Sequence, residues 1–381
     1  LQTGGNSLRE LKLGKFRTLT IGKRIALLVT ALAAATFSMP ADHNIENRLL
    51  VHALGIDRTD DGYEVSFQVF RSSGAGADIP IDISRSNVQL IKEKARTVSE
   101  AVDKCSAQLG RDVFLGHLQV ICFGRNTDFS SPEELFSFAL KDRSVFLGVE
   151  VCMAEDRAEE VIMQELDRGT VSSENLFKAL KEGLKGGRTE QCSMLSFLSC
   201  IRSPQFFAVP VVKLSEQGGE KKEPVIDVSG TAVISEGRVR GILDDEEGYG
   251  LSLLRDRSEH FDTVIEKDGR RADVRFDNAD TDCRLTREGD KLIFSVDIEL
   301  SASVSLDIKG SEFLSEEELS QYVGDMAMRA WKKTSGAGYD AVGVWKYVRQ
   351  SEPELYLRER ERIGRLVSQI EPRFTVRCIM E

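Results

Sequence analysis

The sequence predicts an α+β protein of several domains, with mixed and antiparallel sheets flanked by helices and an N-terminal signal or anchor segment. Three observations carry that expectation. The 381 residues exceed one ordinary domain and point to two or three. Short apolar runs and stretches of period two, the marks of fully buried and half-buried strands, alternate with capped stretches of helical period and end in a block of helices. A single long apolar segment, residues 25–37, follows a basic leader.

That leader holds Arg9, Lys12, Lys15, Arg17, Lys23 and Arg24 against Glu10, a local charge of +5 in a chain of net charge −11. Thirteen helical residues rise only about 20 Å, short of the roughly 30 Å hydrocarbon core. A basic stretch before such a run reads as a secretory signal, cleaved after Ser38 or retained as an anchor. The single run excludes a polytopic membrane protein, and the 8 prolines and 31 glycines exclude a collagen-like or low-complexity chain. An acidic total argues against a nucleic-acid binder, which needs a basic face.

Four segments are expected: a leader and anchor at 1–41, an N-terminal α+β domain at 42–205, a hairpin-rich middle domain at 206–258 and a C-terminal α+β domain at 259–381. In the first folded segment, residues 49–57 form a strand, and Tyr63, Val65, Phe67 and Val69 alternate on its hairpin partner across an Asp-Gly turn. Residues 72–77 are a small-residue loop. Thr97 with Glu100 forms a capping box for a helix that Gly110 stops. Residues 114–124 follow as a strand buried on both faces. A second capping box, Ser131 with Glu134 and Pro132 at the first helical position, opens a helix to about Leu140. Residues 145–153 are another strand, and 155–200 are helical with breaks at Gly169, Gly183, Gly186 and Gly187.

Strands return at 206–214 and 225–243, separated by a charged loop at 215–224 and turning at Glu236-Gly237. Residues 261–276 form a hairpin about Asp268-Gly269. In the long strand or strand pair at 291–308, Leu292, Phe294, Val296, Ile298 and Leu300 share one face. A helix over 314–333 opens at Ser315 with Glu316, Glu317 and Glu318 in its first turn, negative charge at the positive end of the dipole. Helices at 339–349 and 354–370 flank Pro353, and 374–380 closes as a strand.

Chemical motifs are missing from this scaffold. No P-loop, HExxH or nucleophile elbow is present. Cys105, Cys122, Cys152, Cys192, Cys200, Cys283 and Cys378 never form a CxxC pair and read as core filling. Asp277, Asn278, Asp280 and Asp282 place Cys283 and Gly289 where a calcium loop needs Gly and Glu, so an exposed polar turn is expected. Asp244 to Glu247 reads as an acidic helix start, and His117 as the opening of an apolar strand without a catalytic partner. The Arg and Glu residues from Arg358 to Arg362 read as a solvated helix face. No catalytic residue, cofactor or metal site is therefore assigned.

Phe114-Leu115-Gly116-His117-Leu118-Gln119-Val120-Ile121 resembles the "GHL-x-V-I" strand of the Ger(x)C spore germination proteins, the C subunits of nutrient germinant receptors. Leu54-Gly55-Ile56-Asp57 is similar to that family's "GID" strand, and Thr97 to Ala101 to its "T-x-x-E-A" helix start, with Arg96 in place of the usual Gly. Ala208 to Leu214, Gly230 to Leu243, and Tyr339 to Gly343 with Pro353 follow in the family's order. Two departures stand out. The family's lipobox cysteine falls near Met39, whereas the first cysteine here is Cys105, so thioether lipidation at that place is excluded. Ile363 stands where the family commonly has Trp.

The resemblance implies a non-enzymatic subunit on the outer face of the inner spore membrane. Such a subunit acts with membrane-embedded A and B subunits in sensing a small-molecule germinant or relaying its signal. Two other classes fit the same composition: an exported hydrolase with dispersed acidic residues, and a free-standing exported binding protein. A hydrolase predicts a deep pocket with convergent titratable groups. A receptor subunit predicts exposed apolar patches.

Overall fold

The computed structural model describes residues 30, 48–70, 88–142, 144–163, 172–200, 206–217, 223–258, 260–305 and 314–381. Residues 49–381 form one folded body. The leader, nearly all of the apolar segment at 25–37 and the loop at 72–77 lie outside the described residues. Among the described residues, no helix is long and apolar enough to cross a membrane.

The first sheet is built from β1 (Arg48–Thr59), β2 (Gly62–Phe70), β3 (Val88–Ala95), β4 (Asp112–Phe114), β5 (Val120–Phe123), β6 (Glu150–Ala154), β7 (Phe207–Gln217), β8 (Glu223–Ser235) and β9 (Arg238–Leu243). Its order is β3-β2-β1-β5-β6-β7-β8-β9, with β4 pairing beside β1. The four central strands β1, β5, β6 and β7 are parallel, and antiparallel hairpins flank them on both sides. Parallel neighbours require crossovers. These are supplied by α1 (Val98–Leu109), α2 (Pro132–Leu135), α3 (Ser137–Lys141), α4 (Ala158–Ile162), α5 (Ser172–Lys185) and α6 (Met194–Cys200). The hairpin strands after residue 206 are hydrogen-bonded into this same sheet through β6–β7.

Both faces of the central strands are buried. Ile121 and Phe123 of β5, with Val151 and Met153 of β6, enter one core with Phe129, Phe136 and Phe197. Val120, Cys122, Cys152 and Ala154 enter another with Ile162, Leu176 and Leu180. Continuous apolar runs are what such strands require.

The second sheet has the order β10-β11-β12-β13: β10 (His260–Lys267), β11 (Arg270–Glu288), β12 (Lys291–Val304) and β13 (Glu371–Met380). The first three are antiparallel, and β13 joins parallel to β12 after the helices. Asp268 and Gly269 both take positive φ, 52° and 73°, as a two-residue hairpin turn needs. Leu292, Phe294, Val296, Ile298 and Leu300 are buried on one face. They pack with Leu319, Val323, Met326 and Trp331 of α8 (Glu316–Lys333). Ser315 and Glu318 form a reciprocal capping box there. α7 (Asp245–Leu254) lies against α8, and a Cβ on Gly250 would stand 2.5 Å from the Met326 carbonyl. Only glycine permits that approach.

Several elements depart from the sequence expectations. The strand at 114–124 is two strands, because Leu115 to Gln119 turn back and the Leu118 N–H bonds the Leu115 carbonyl at 3.1 Å. The strand at 145–153 is confined to β6. Ser131 makes no side-chain cap, and its helix breaks at Phe136 into α2 and α3. The Thr97 hydroxyl accepts from Glu100 as expected, but the Glu100 carboxylate takes the Arg96 N–H, one residue early. The helix at 339–349 starts only at Val344, giving α9 (Val344–Ser351). The segment at 354–370 is α10 (Pro353–Glu359), a 3-10 turn at Arg360–Arg362 and α11 (Ile363–Val367). Within α11, Gly364 meets Gly338: a Cβ there would lie 2.3 Å from the Gly338 carbonyl.

Candidate functional site

Between α6, the start of β7, the end of α7 and the start of α9 lies a polar cleft that no local sequence motif announces. Backbone bonds pin its floor. The Val151 N–H bonds the Cys192 carbonyl at 2.7 Å and the Met194 N–H bonds the Val149 carbonyl at 2.9 Å. Residues 192–194 therefore run beside β6, and Glu190 and Gln191 lead into them.

Opposite this floor, α7 ends in a left-handed residue, Asp256 with φ of 53°. The turn brings Arg255 and Arg257 together on Glu190: each guanidinium lies 3.3 Å from the same carboxylate oxygen, Oε2. The other oxygen accepts from the Ser252 hydroxyl at 3.4 Å. The Glu190 side chain is only 4% exposed, against 21% for Arg255 and 54% for Arg257. The acid is thus buried and its partners reach outward.

Two adjoining cavities open here and share Gln191, Ser196 and Arg257. One, about 420 Å³, is lined by hydroxyl, amide and charged groups, among them Ser193, Ser252 and Glu190. The other, about 240 Å³, has Phe206, Phe207, Val342 and Trp345 as apolar wall and Arg255, Arg257 and Lys346 as cations. Asp340 also borders it but is spent on structure. Its carboxylate accepts from the N–H groups of Gly343, Val344 and Trp345 at 3.0, 2.9 and 2.7 Å and from the Ser335 hydroxyl at 3.0 Å. Burial pushes its pKa up while those donors pull it down. Three cations border the smaller cavity, while the only acid on its lining, Asp340, is engaged by internal donors, an arrangement suited to binding an anion.

The residues singled out from sequence lie elsewhere. His117 is on the turn after β4, not in a strand, and its ring stacks on His52 at 6.0 Å and 9°. Burial, and then the neighbouring His117, lower the His52 pKa below its ordinary 6.5. Asp277, Asn278, Asp280 and Asp282 fall within β11, not in a turn. A bulge displaces the register between Asp277 and Asp280, the Asn278 amide bonds Ser301 at 3.2 Å, and Asp282 pairs with Arg284 at 2.5 Å. Among the described residues, no group of three or more His, Cys, Asp or Glu side chains comes together to hold a metal.

Asp244 to Glu247 open α7 with a capping box and tie it to α8, through Lys333 on Glu247 and Tyr322 on Glu246 at 2.6 and 2.5 Å. The segment from Arg358 to Arg362 lies on an exposed surface.

Several residues of the ordered sequence segments have architectural tasks. Asp57 accepts from the Ala158 and Glu159 N–H groups at 2.8 and 2.9 Å, capping α4. Gly124 makes room for that carboxylate, since a Cβ there would meet it at 2.2 Å. Gly230, at φ of 142°, passes the Leu243 carbonyl at a distance no side chain tolerates.

A second surface stands out by its apolar exposure. Leu140, Phe146, Leu147 and Leu195 are 58%, 71%, 41% and 53% exposed. The Leu195 N–H bonds the Leu147 carbonyl at 2.8 Å, which joins α6 to this segment. Phe146, Leu147 and Leu195 are thereby neighbours, and adjoining exposed apolar groups mark interaction surfaces.

Residues 42–214 match the spore germination protein N-terminal domain. Residues 229–377 match a second domain, described as spore germination B3/GerAC like, C-terminal. Among solved structures, that of the GerBC protein superposes with a TM-score of 0.52, covering 86% of this chain and 96% of that one at 17% identity. At that identity the likeness speaks for the fold. No curated protein matches.

Proposed function

We propose a receptor role for this chain, which belongs to the Ger(x)C, or GerAC-like, family of spore germination proteins. In this reading it is the non-enzymatic C-type subunit of a nutrient germinant receptor. It works on the outer face of the inner spore membrane with membrane-embedded A and B subunits. The observation that carries the reading is the match to both family domains, in order, over residues 42–214 and 229–377.

The exposed apolar residues Phe146, Leu147 and Leu195 support it, because a subunit that works in a complex needs a face of this kind. In the cleft, Glu190 is held by two guanidiniums and a hydroxyl, an arrangement fit for binding and poorly fit for proton transfer. The basic leader and the apolar run at 25–37 supply the means of export and, if retained, of attachment.

The test is affinity capture of the full chain from detergent-solubilised spore inner membrane, with mass spectrometry of what accompanies it. The expected result is recovery with integral membrane proteins of the A and B type. Recovery in the soluble fraction, without integral membrane partners, overturns the reading.

A further inference from the structure

We infer that the cleft between the start of β7, the end of α7 and the start of α9 binds a small organic carboxylate that carries a compact apolar group. The inference stands apart from the receptor assignment, since it concerns the isolated chain alone.

Charge is the first support. The chain carries a net charge of −11, yet Arg255, Arg257 and Lys346 converge on one cavity. The two acids beside them are already engaged: Glu190 by both arginines and Asp340 by four internal donors. Lys346 has no carboxylate partner among the described residues. Its stem passes beside Gly343, where a Cβ would be 3.7 Å from Nζ, and the exposed side chain borders the cavity. Arg257 spends one nitrogen on Glu190 and is half exposed, which leaves N–H groups for a ligand. A guanidinium and an ammonium facing one space are the usual means of holding a carboxylate.

Shape is the second support. Phe206, Phe207 and Trp345 form the apolar side of the same cavity. Phe207 is fixed against Phe197 at 4.5 Å and Trp345 against Tyr356 at 6.0 Å, so the wall is preformed. Convergent donors on one side and aromatic rings on the other describe a small-molecule site. The two adjoining cavities, about 420 and 240 Å³, suit a ligand of modest size. A purely structural ion cluster would not need an unpaired lysine beside an aromatic wall.

The test uses the full chain in detergent, 4-methylpentanoate as probe and 4-methylpentan-1-ol as its uncharged counterpart. Of the two tryptophans in the sequence, Trp331 is 3% exposed while Trp345 lines the cavity, so fluorescence reports the site. Saturable change with the carboxylate, at least tenfold weaker binding of the alcohol, and a tenfold or larger loss in Arg257→Gln are expected. Lys346→Gln, at an exposed position, gives the same reading should the arginine variant fold poorly. Trp345→Phe should abolish the signal while calorimetry still detects binding. No saturable response to the carboxylate overturns the inference. So does equal response to the alcohol, or unchanged affinity in a folded Arg257→Gln or Lys346→Gln protein.

Discussion

In β5, neighbouring residues Ile121 and Cys122 face two different cores. In β12, Ile298 faces a core while its neighbours Asp297 and Glu299 are exposed. The first sheet has helices on both sides and reads as unbroken apolar runs. The second is covered on one side by α8 and its neighbours, and its open side carries ion pairs. Arg275 with Asp262 at 2.7 Å, Arg373 with Glu288 at 3.2 Å and Lys291 with Glu371 at 3.2 Å are examples. Exposed pairs like these contribute little, about 0–1 kcal/mol each. They keep a sheet face soluble. The contrast shows how hydrophobic period encodes the number of covered faces, not only the presence of a strand.

Substitution of adjacent residues tests this contrast with the largest expected effects. Ile121→Asn and Cys122→Asn should each destabilise by about 3–5 kcal/mol, because both side chains lose a buried apolar place to an unpaired amide. In β12, Ile298→Asn should match that loss, while Asp297→Asn stays within about 0.5 kcal/mol. Urea midpoints of the four variants decide the matter, and tolerance of Asn at Cys122 would contradict the two-core description.

The two regions meet at α7 and α8, where Gly250→Ala pushes a methyl into the Met326 carbonyl. A loss of about 2–3 kcal/mol is expected, measured by thermal unfolding, and a Met326→Ala partner should not rescue it because the clash is with backbone. A smaller effect follows at the cleft. Glu190→Gln unpairs two arginines that are partly solvated, so about 1–2 kcal/mol is expected, less than for a fully buried pair.

The smallest predicted effect belongs to the first sheet alone and depends on pH. His52 has a lowered pKa, so its neutral form is the one that folding favours. Its contribution is complete above the ordinary value of 6.5 and is lost as pH falls through the depressed folded value, where a charge must form beside His117. Urea titrations between pH 5 and about 7 should show a shallower acid-side loss for His52→Gln than for the parent. Equal slopes would show that the stacked pair is not protonation-sensitive.

Much of this fold was legible because its signals are local. The alternation of Leu292 to Leu300, the acidic helix start at Ser315 and the turn at Asp268-Gly269 each lie within a few residues and need no partner to be recognised. The parallel order β1-β5-β6-β7 was not legible, since it depends on which apolar run pairs with which, and all such runs look alike. The turn at Gly116 and His117 was hidden for a related reason: its flanking residues are as apolar as the strands they join. The cleft was least legible of all. Glu190, Arg255, Arg257 and Lys346 come from three separate segments, and only the αL turn at Asp256 and the late start of α9 bring them to one place.

Work inside a membrane receptor is tested most directly at the exposed apolar residues beside the first sheet. A photo-crosslinking residue is placed at Phe146 in one strain and at Glu299, on the charged open face of the second sheet, in another, and intact dormant spores are illuminated. A covalent adduct from position 146 to an integral membrane receptor subunit is expected, with a much weaker one from position 299. Adducts from position 146 confined to soluble proteins, or no difference between the two positions, would contradict the receptor role.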